Sequence, residues 1–329
     1  MTQAQTKQTG GYLAWLSSYG IYLVLALLVL VFSMGNSRFL TIENLLLILQ
    51  QASPLGIAVV GMIFVLLVGG IDISVGASMF FASTLAGVLL NACLPPAWIA
   101  DGWALAVVMP LVLVLGALIG WINGMLATRF QILPFIVTLA TASILKGTGL
   151  KISGSASIGV SALGDLANGR LGPIPNVLIL FVLILLVGDF VLRRTVYGRH
   201  LMAIGDSPRN AERAGIPVNR NMVSAYMICG MLGTLAGILS AGQIGSVSAG
   251  FGDGNEFIII SAAVLGGTSL FGGKGSILPG AVIGILLVTT IMNGLAMMNA
   301  SPFIYTIVRG LVIFIAIAID SRNYKGELR

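Results

Sequence analysis

Apolar residues run along this chain in long unbroken blocks, and the short segments between those blocks hold most of the charges. Neither the period of two of a half-buried strand nor a narrow helical stripe organises these blocks; each is apolar all round, as a segment surrounded by lipid must be. Their limits predict crossings at about 20–35, 45–69, 77–94, 103–127, 134–150, 174–192, 221–242, 257–271, 277–297 and 302–319. A helix of roughly 20 apolar residues spans the hydrocarbon core, and a helix satisfies its own backbone there. The predicted fold class is therefore an all-α polytopic membrane protein with about ten transmembrane helices. It reads as one transmembrane domain over residues 1–329, with an N-terminal segment 1–19, a loop 193–220 and a tail 320–329 on the cytoplasmic side. The eighth block is short, and Gly266 to Gly275 reads as a helix that breaks inside the membrane.

Composition agrees: 57% of residues are hydrophobic, 9% are charged and the mean hydropathy is +1.03. A net charge of +6 invites a nucleic-acid reading. The basic residues, however, sit in short segments between apolar blocks, as the positive-inside rule requires, so nucleic acid is not expected as a partner. With ten crossings, twelve of the 17 Lys and Arg fall on one side, four on the other and Arg309 within the last block. That bias predicts an even number of crossings with both termini in the cytoplasm. The run from Ile21 to Phe32 lacks a small-residue cleavage pattern and is expected to be a retained first crossing. Cys93 and Cys229 lie in apolar blocks, so neither a disulfide framework nor a metal site is predicted.

The stretch Gly69-Gly70-Ile71-Asp72-Ile73-Ser74-Val75-Gly76 separates two of the apolar blocks. An ionisable residue at membrane depth costs a few kcal/mol and by default faces a cavity or another helix. Paired glycines allow a helix to break where backbone groups are wanted for a solute. The plainer account is a tight turn in which Asp72 caps the next helix; both readings stand together. Asp189, Glu256 and Arg309 are the other charges at membrane depth. A carboxylate or carbonyl partner is expected for Arg309, Glu256 first and Asp72 second. The outer segment Lys151 to Pro173, rich in Gly, Ser and Ala, reads as a surface connection.

Between the sixth and seventh blocks lies Gly205-Asp206-Ser207-Pro208-Arg209-Asn210-Ala211-Glu212-Arg213-Ala214-Gly215-Ile216-Pro217. Ser207 is a good N-cap, Pro208 suits the first helical position, Gly215 allows a left-handed stop and Pro217 prevents continuation. The result is one charged rod of roughly 10 Å. It is either a solvated loop helix or a lever for a peripheral partner. Nucleotide binding is rejected: around Lys274 the phosphate-loop pattern has Thr268 where its first Gly belongs and Gly275 where Ser or Thr belongs. No hydrolytic or zinc motif is present and there is a single histidine, His200, so no catalytic residue and no cofactor are assigned to this chain.

Phe39-Leu40-Thr41 with Asn44, Gly69 to Gly76, Asn123-Gly124, Pro134 to Leu139, Tyr197-Gly198-Arg199, Ala203-Ile204-Gly205, Ala211 to Pro217, Glu256, Leu265 to Leu270 with Gly272-Gly273, and Asn293-Gly294 follow one another in a specific order. In that order the chain resembles the transmembrane permeases of bacterial ATP-binding-cassette importers for monosaccharides such as ribose, xylose, arabinose and galactose. The resemblance implies a multi-pass protein of the inner membrane that pairs with a second permease copy or a paralogue. It implies two cytoplasmic ATPase subunits, which hold the ATP and Mg, and a periplasmic sugar-binding protein. Helices two to five and seven to ten would be related by inverted topology. Ser207, Asn210, Ala211, Glu212, Arg213, Ala214 and Gly215 would couple to the ATPase. Gly69, Gly70, Asp72, Ser74, Gly76, Asn123, Glu256, Thr268, Ser269, Asn293 and Arg309 would line or brace the translocation pathway. The chain departs from the pattern at Gln243, where relatives carry a basic residue, and around Ile152 to Leu163. The competing reading is an ion-coupled secondary transporter of a small polar solute, with Asp72 or Glu256 as the ion site.

Overall fold

A computed structural model describes the backbone of residues 4–327 and the side chains of 20–321 apart from those of Ala100, Pro302 and Ile319. The terminal charges Lys7, Arg322, Lys325 and Arg329, on which part of the expected sidedness rests, lie outside the described side chains. The chain is an all-α polytopic membrane protein. Its helices are α1 Ala4–Gly35, α2 Ile42–Leu67, α3 Val75–Val88, α4 Pro96–Ala100, α5 Trp103–Arg129, α6 Pro134–Ser153 and α7 Gly164–Asn168. They continue as α8 Asn176–Arg194, α9 Val196–Asp206, α10 Pro208–Arg213, α11 Val218–Ile244, α12 Asn255–Leu265, α13 Val282–Met297 and α14 Pro302–Glu327. Among the described residues seven helical segments are long and apolar enough to cross a membrane. Three shorter apolar helices, Gly20–Gly35, Asn255–Leu265 and Phe303–Ala318, fall where the other three crossings were predicted.

Helix ends follow local chemistry. Thr41 caps α2, its hydroxyl accepting from the Asn44 amide at 3.4 Å. α2 stops where Gly69 takes φ +71°, and α11 stops where Gly245 takes φ +82°, both left-handed positions that cost glycine little. The entry to α13 is fastened from α8: the Asp189 carboxylate accepts from the Leu278 amide at 3.1 Å and from Arg193 Nε at 2.8 Å, and Arg193 also donates to the Leu278 carbonyl. Asp189 is thus spent on a helix start rather than on a solute.

The interior is built on α2 and α11. On α5, Gly116, Gly120 and Gly124 lie directly on the backbone of α11 around Gly230, Tyr226 and Val223. In lipid no hydrophobic gain separates helix from helix, so close small-residue contact is what holds such a seam. On the other side Gly61 of α2 meets Cys229 of α11, and Ile57 to Leu67 of α2 is buried throughout.

Two helices begin inside the molecule instead of at its ends. Val75 packs on Gly233 and Met79 on Gly237; Gly233 is 15 residues from one end of α11 and 11 from the other, so α3 begins about halfway along its neighbour. The first turn of α3 meets the start of α12, for Gly76 lies against Gly252 O and the Glu256 carboxylate. Residues 68–74 and 245–254 double back from opposite ends of the bundle to reach this meeting point. α12 itself stops at Leu265, and residues 266–276 form turns with positive φ at Gly267, Gly272 and Gly273. The helix predicted to reach 271 therefore ends six residues earlier, because the positive φ at Gly267 is incompatible with a continuing helix.

Two connections are more ordered than their sequences suggested. The segment 151–173, read as a surface connection, is a folded cap. Its β1 Ile158–Gly159 pairs with β4 Ser246–Val247, and β2 Arg170–Leu171 pairs with β3 Ile174–Pro175. Val160, Leu163 and Ala167 are buried beneath it, and Asn168 joins Gln50 and Gly242 O by its two amide atoms. The loop 193–220 holds two helices where one was expected: α9 is capped by Thr195, whose hydroxyl accepts from the Gly198 amide at 3.4 Å.

Candidate translocation core and coupling surface

Asp72 sits where α2 has ended and α3 has not yet begun. Its Oδ1 accepts from the Ser74 amide at 2.9 Å and from the Ser74 hydroxyl at 2.6 Å. Asn123 of α5 donates to Ser74 Oγ at 2.9 Å, and Thr141 of α6 donates to Asn123 Oδ1 at 2.7 Å. Thr138 accepts from the Ile73 amide at 3.2 Å. This chain of hydrogen bonds satisfies non-helical backbone in the lipid-depth interior, where an unpaired group costs about 1–3 kcal/mol. Asp72 is 1% exposed. Of the sequence candidates, Asp72, Ser74 and Asn123 are thus brought together as a closed brace of α3, α5 and α6. Gly70 completes it, since a Cβ there would lie 2.5 Å from the Tyr226 hydroxyl.

A second polar cluster lies at the start of α12. Lys146 of α6 pairs with the Asp253 carboxylate, donates to Ala249 O at 2.6 Å and stands 4.5 Å from the centre of the Phe80 ring. Arg309 of α14 donates to the Asp253 carbonyl at 3.3 Å. The expected partner of Arg309 is thus a carbonyl; the Glu256 carboxylate lies within range of its charge, and Asp72 belongs to the other network. Glu256 faces Gly76 in the first turn of α3, where the positive end of a helix favours a carboxylate. Lys146 and Asp253 were not singled out as candidates. The available signal was a lysine inside a predicted crossing and an aspartate just ahead of another.

Asn293 lies away from both clusters. Its side-chain amide and that of Asn44 exchange hydrogen bonds of 3.0 and 3.1 Å, joining α13 to α2, while Asn44 also donates to Phe39 O at 2.8 Å. Both are buried, so the pair is a clasp between helices. Asn293→Leu is expected to leave Asn44 half satisfied and to lower stability by about 1–3 kcal/mol, read as a fall in the melting temperature of the detergent-solubilised protein.

At the opposite end of the bundle gather Arg129, Arg193, Arg194, Arg199, Arg209, Arg213 and Arg220, at the ends of α5 and α8 and along α9 to α11. The predicted cap of α10 is present, with the Ser207 hydroxyl accepting from the Asn210 amide at 3.4 Å and Gly215 at φ +79°. Arg209, Asn210, Glu212, Arg213, Ala214 and Gly215 are exposed, whereas Ala211 is 3% exposed. Ala211 is the one buried residue of the rod and anchors it to its own chain. Behind the rod, Gly205 of α9 lies on Leu67 O and on the Gly273 amide, and Gly273 N donates to Leu67 O at 3.0 Å. Thr268 and Ser269 belong to this same 266–276 turn. Ser269 Oγ accepts from the Phe271 amide, and Asp320 Oδ2 of α14 accepts from the Leu270 amide. Among the described residues no group of His, Cys, Asp or Glu is arranged to hold a metal ion.

The family described as branched-chain amino acid transport system / permease component matches residues 44–317. The ribose import permease protein of Bacillus subtilis is 36% identical over 314 residues, covering 92% of this chain and 92% of its own length. The fructose import permease protein of Rhizobium meliloti is 37% identical over 311 residues, 91% of this chain and 83% of its own. The D-allose transport system permease protein of Escherichia coli is 34% identical over 324 residues, 97% and 96% of the two chains. No solved structure matches significantly.

Proposed function

This chain belongs to the family of branched-chain amino acid transport system / permease components, and from that premise we propose that it is the membrane permease of an ATP-driven importer of monosaccharides or closely related polyols. The sugar assignment rests on the relatives that cover nearly the whole chain, which are named for ribose, fructose and allose. ATP is hydrolysed on separate ATPase subunits seated at the basic end of the bundle, which is the cytoplasmic end. A sugar-binding protein delivers solute at the capped end, and a second permease, identical or paralogous, completes the pathway in the inner membrane. Both termini are cytoplasmic.

The observation that carries this reading is the seating of α10. Its charged face is open, its one buried residue is Ala211, and the helix before it rests by backbone contact on the end of α2 and on the 266–276 turn. A push on α10 reaches, through Gly205, both the break after α2 and the end of α12. Those two elements frame the half-helices that meet in the middle. The ion-coupled alternative loses its first candidate, since Asp72 is sealed and its Oδ1 is engaged by Ser74.

The test places a cysteine at Arg213 in a Cys93→Ser background, leaving Cys229 buried, and co-expresses the chain with single-cysteine variants of its ATPase. A crosslink is expected in assembled, ATP-hydrolysing complexes. Labelling of that cysteine from outside intact cells, or uptake driven by an ion gradient in liposomes holding this chain alone, would overturn the reading.

A further inference from the structure

Lys146, Asp253, Glu256 and Arg309 stand together beside the meeting point of the two half-helices, and their surroundings distinguish them from the sealed Asp72 network. The Asp253 side chain is 62% exposed and that of Lys146 24%. Arg309 makes its one described hydrogen bond to a carbonyl, and its buried Nε has no partner among the described residues. Lys146 is bent inward over Phe80 towards Asp253, so its ammonium does not reach outward along the helix to a headgroup. An open carboxylate at this depth is not a lipid-facing group, because exposing it to hydrocarbon costs several kcal/mol. This face must meet water.

We infer that Lys146, Asp253, Glu256 and Arg309 form a wetted station in the translocation pathway that takes the hydroxyl groups of an uncharged sugar. The inference rests on the importer reading and adds to it the residues that touch solute. Two cations and two carboxylates cancel, so the station has no net charge with which to favour an ion. It offers ammonium and guanidinium donors, carboxylate acceptors and the Ala249 carbonyl in one place, which suits a solute that both donates and accepts at each carbon. Asp253 and Arg309 come from the α12 entry and from α14, and Lys146 from α6. Movement of the half-helices relative to α6 therefore opens or closes the Lys146–Asp253 pair, exchanging it for solute hydroxyls.

The experiment uses the full complex, with its ATPase and sugar-loaded binding protein, in proteoliposomes. Asp253→Cys in the Cys93→Ser background is treated with a charged, membrane-impermeant thiosulfonate, with D-ribose, D-fructose or D-allose as the transported probe. Labelling is expected, and it is expected to slow several-fold when saturating sugar-loaded binding protein is present. Labelling by a lipid-soluble maleimide alone would place the residue against lipid. Protection from both reagents without sugar would place it beneath the second permease. Either result overturns the station. In parallel, Asp253→Asn and Lys146→Met are expected to lower uptake about tenfold or more through loss of charge-assisted hydrogen bonds, with Lys146→Arg largely retaining it. Wild-type complexes that take up none of the three sugars and no other monosaccharide or polyol delivered by the binding protein would sink the importer reading itself. Unchanged uptake in both variants alongside active wild type would sink the station alone.

Discussion

Replacing Gly205 by valine is expected to stop uptake while the permease remains inserted and folded. The position lies where α9 crosses the end of α2: an added Cβ would collide with Leu67 O and with the Gly273 amide. Both obstacles are backbone, and the two are joined to each other by a 3.0 Å hydrogen bond, so neither can rotate aside as a side chain would. Overpacking of this kind typically costs about 1–3 kcal/mol, which an extended transmembrane core can absorb locally by lifting α9 away. Lifting α9 disconnects α10 from the half-helices. ATP hydrolysis is then expected to continue without sugar-dependent stimulation, and uptake to fall about tenfold or more, since a lever that has lost about 1.4 kcal/mol of coupling has lost a factor of ten. Gly205→Ala is expected to fall between. Wild-type uptake in Gly205→Val would mean that force takes another route.

Gly120→Leu is expected to prevent folding altogether. In α5 this glycine rests on the Tyr226 carbonyl and the Met227 Cα of α11, and its neighbours Gly116 and Gly124 rest on the same helix. A side chain at Gly120 forces the two axes apart along the whole seam. Packing between membrane helices rests on such contact, and Thr234, which donates across the seam to Val112 O at 3.1 Å, would lose its bond as well. The expected result is loss of monodisperse protein after detergent extraction, not a shifted melting temperature. Gly20→Leu supplies the comparison: nothing lies within 4 Å of an added Cβ there, and the change is expected to be nearly neutral.

The distribution of apolar blocks carried the fold to the level of which segments are helical, because hydrocarbon leaves the backbone few alternatives. The cap of α10 was equally readable, since Ser207, Pro208 and Gly215 act through bonds within nine residues. What hydropathy could not reveal is where a helix begins in depth. α3 and α12 start in the middle of the bundle because Gly76 meets Gly252 there, a contact between residues far apart in the chain. The same limit hid α9, whose buried Leu201 and Ile204 are two apolar positions in a charged segment. It also hid which residue Asn293 is fastened to, since its partner Asn44 lies 249 positions away. Nor does anything local to Lys146 or Asp253 show that the two touch.

The shortness of α12 bears on how the protein is made. Its 11 residues reach about 16 Å, roughly half the hydrocarbon thickness, and they begin beside two carboxylates, Asp253 and Glu256. Such a segment does not partition into a bilayer on its own during synthesis; it must be received by α2, already in place, and held there by α13 and α14, which follow it. Insertion of the C-terminal third is therefore a late, templated step, and a nascent chain in which α2 is misplaced would strand α12 in water and present it to quality-control proteases.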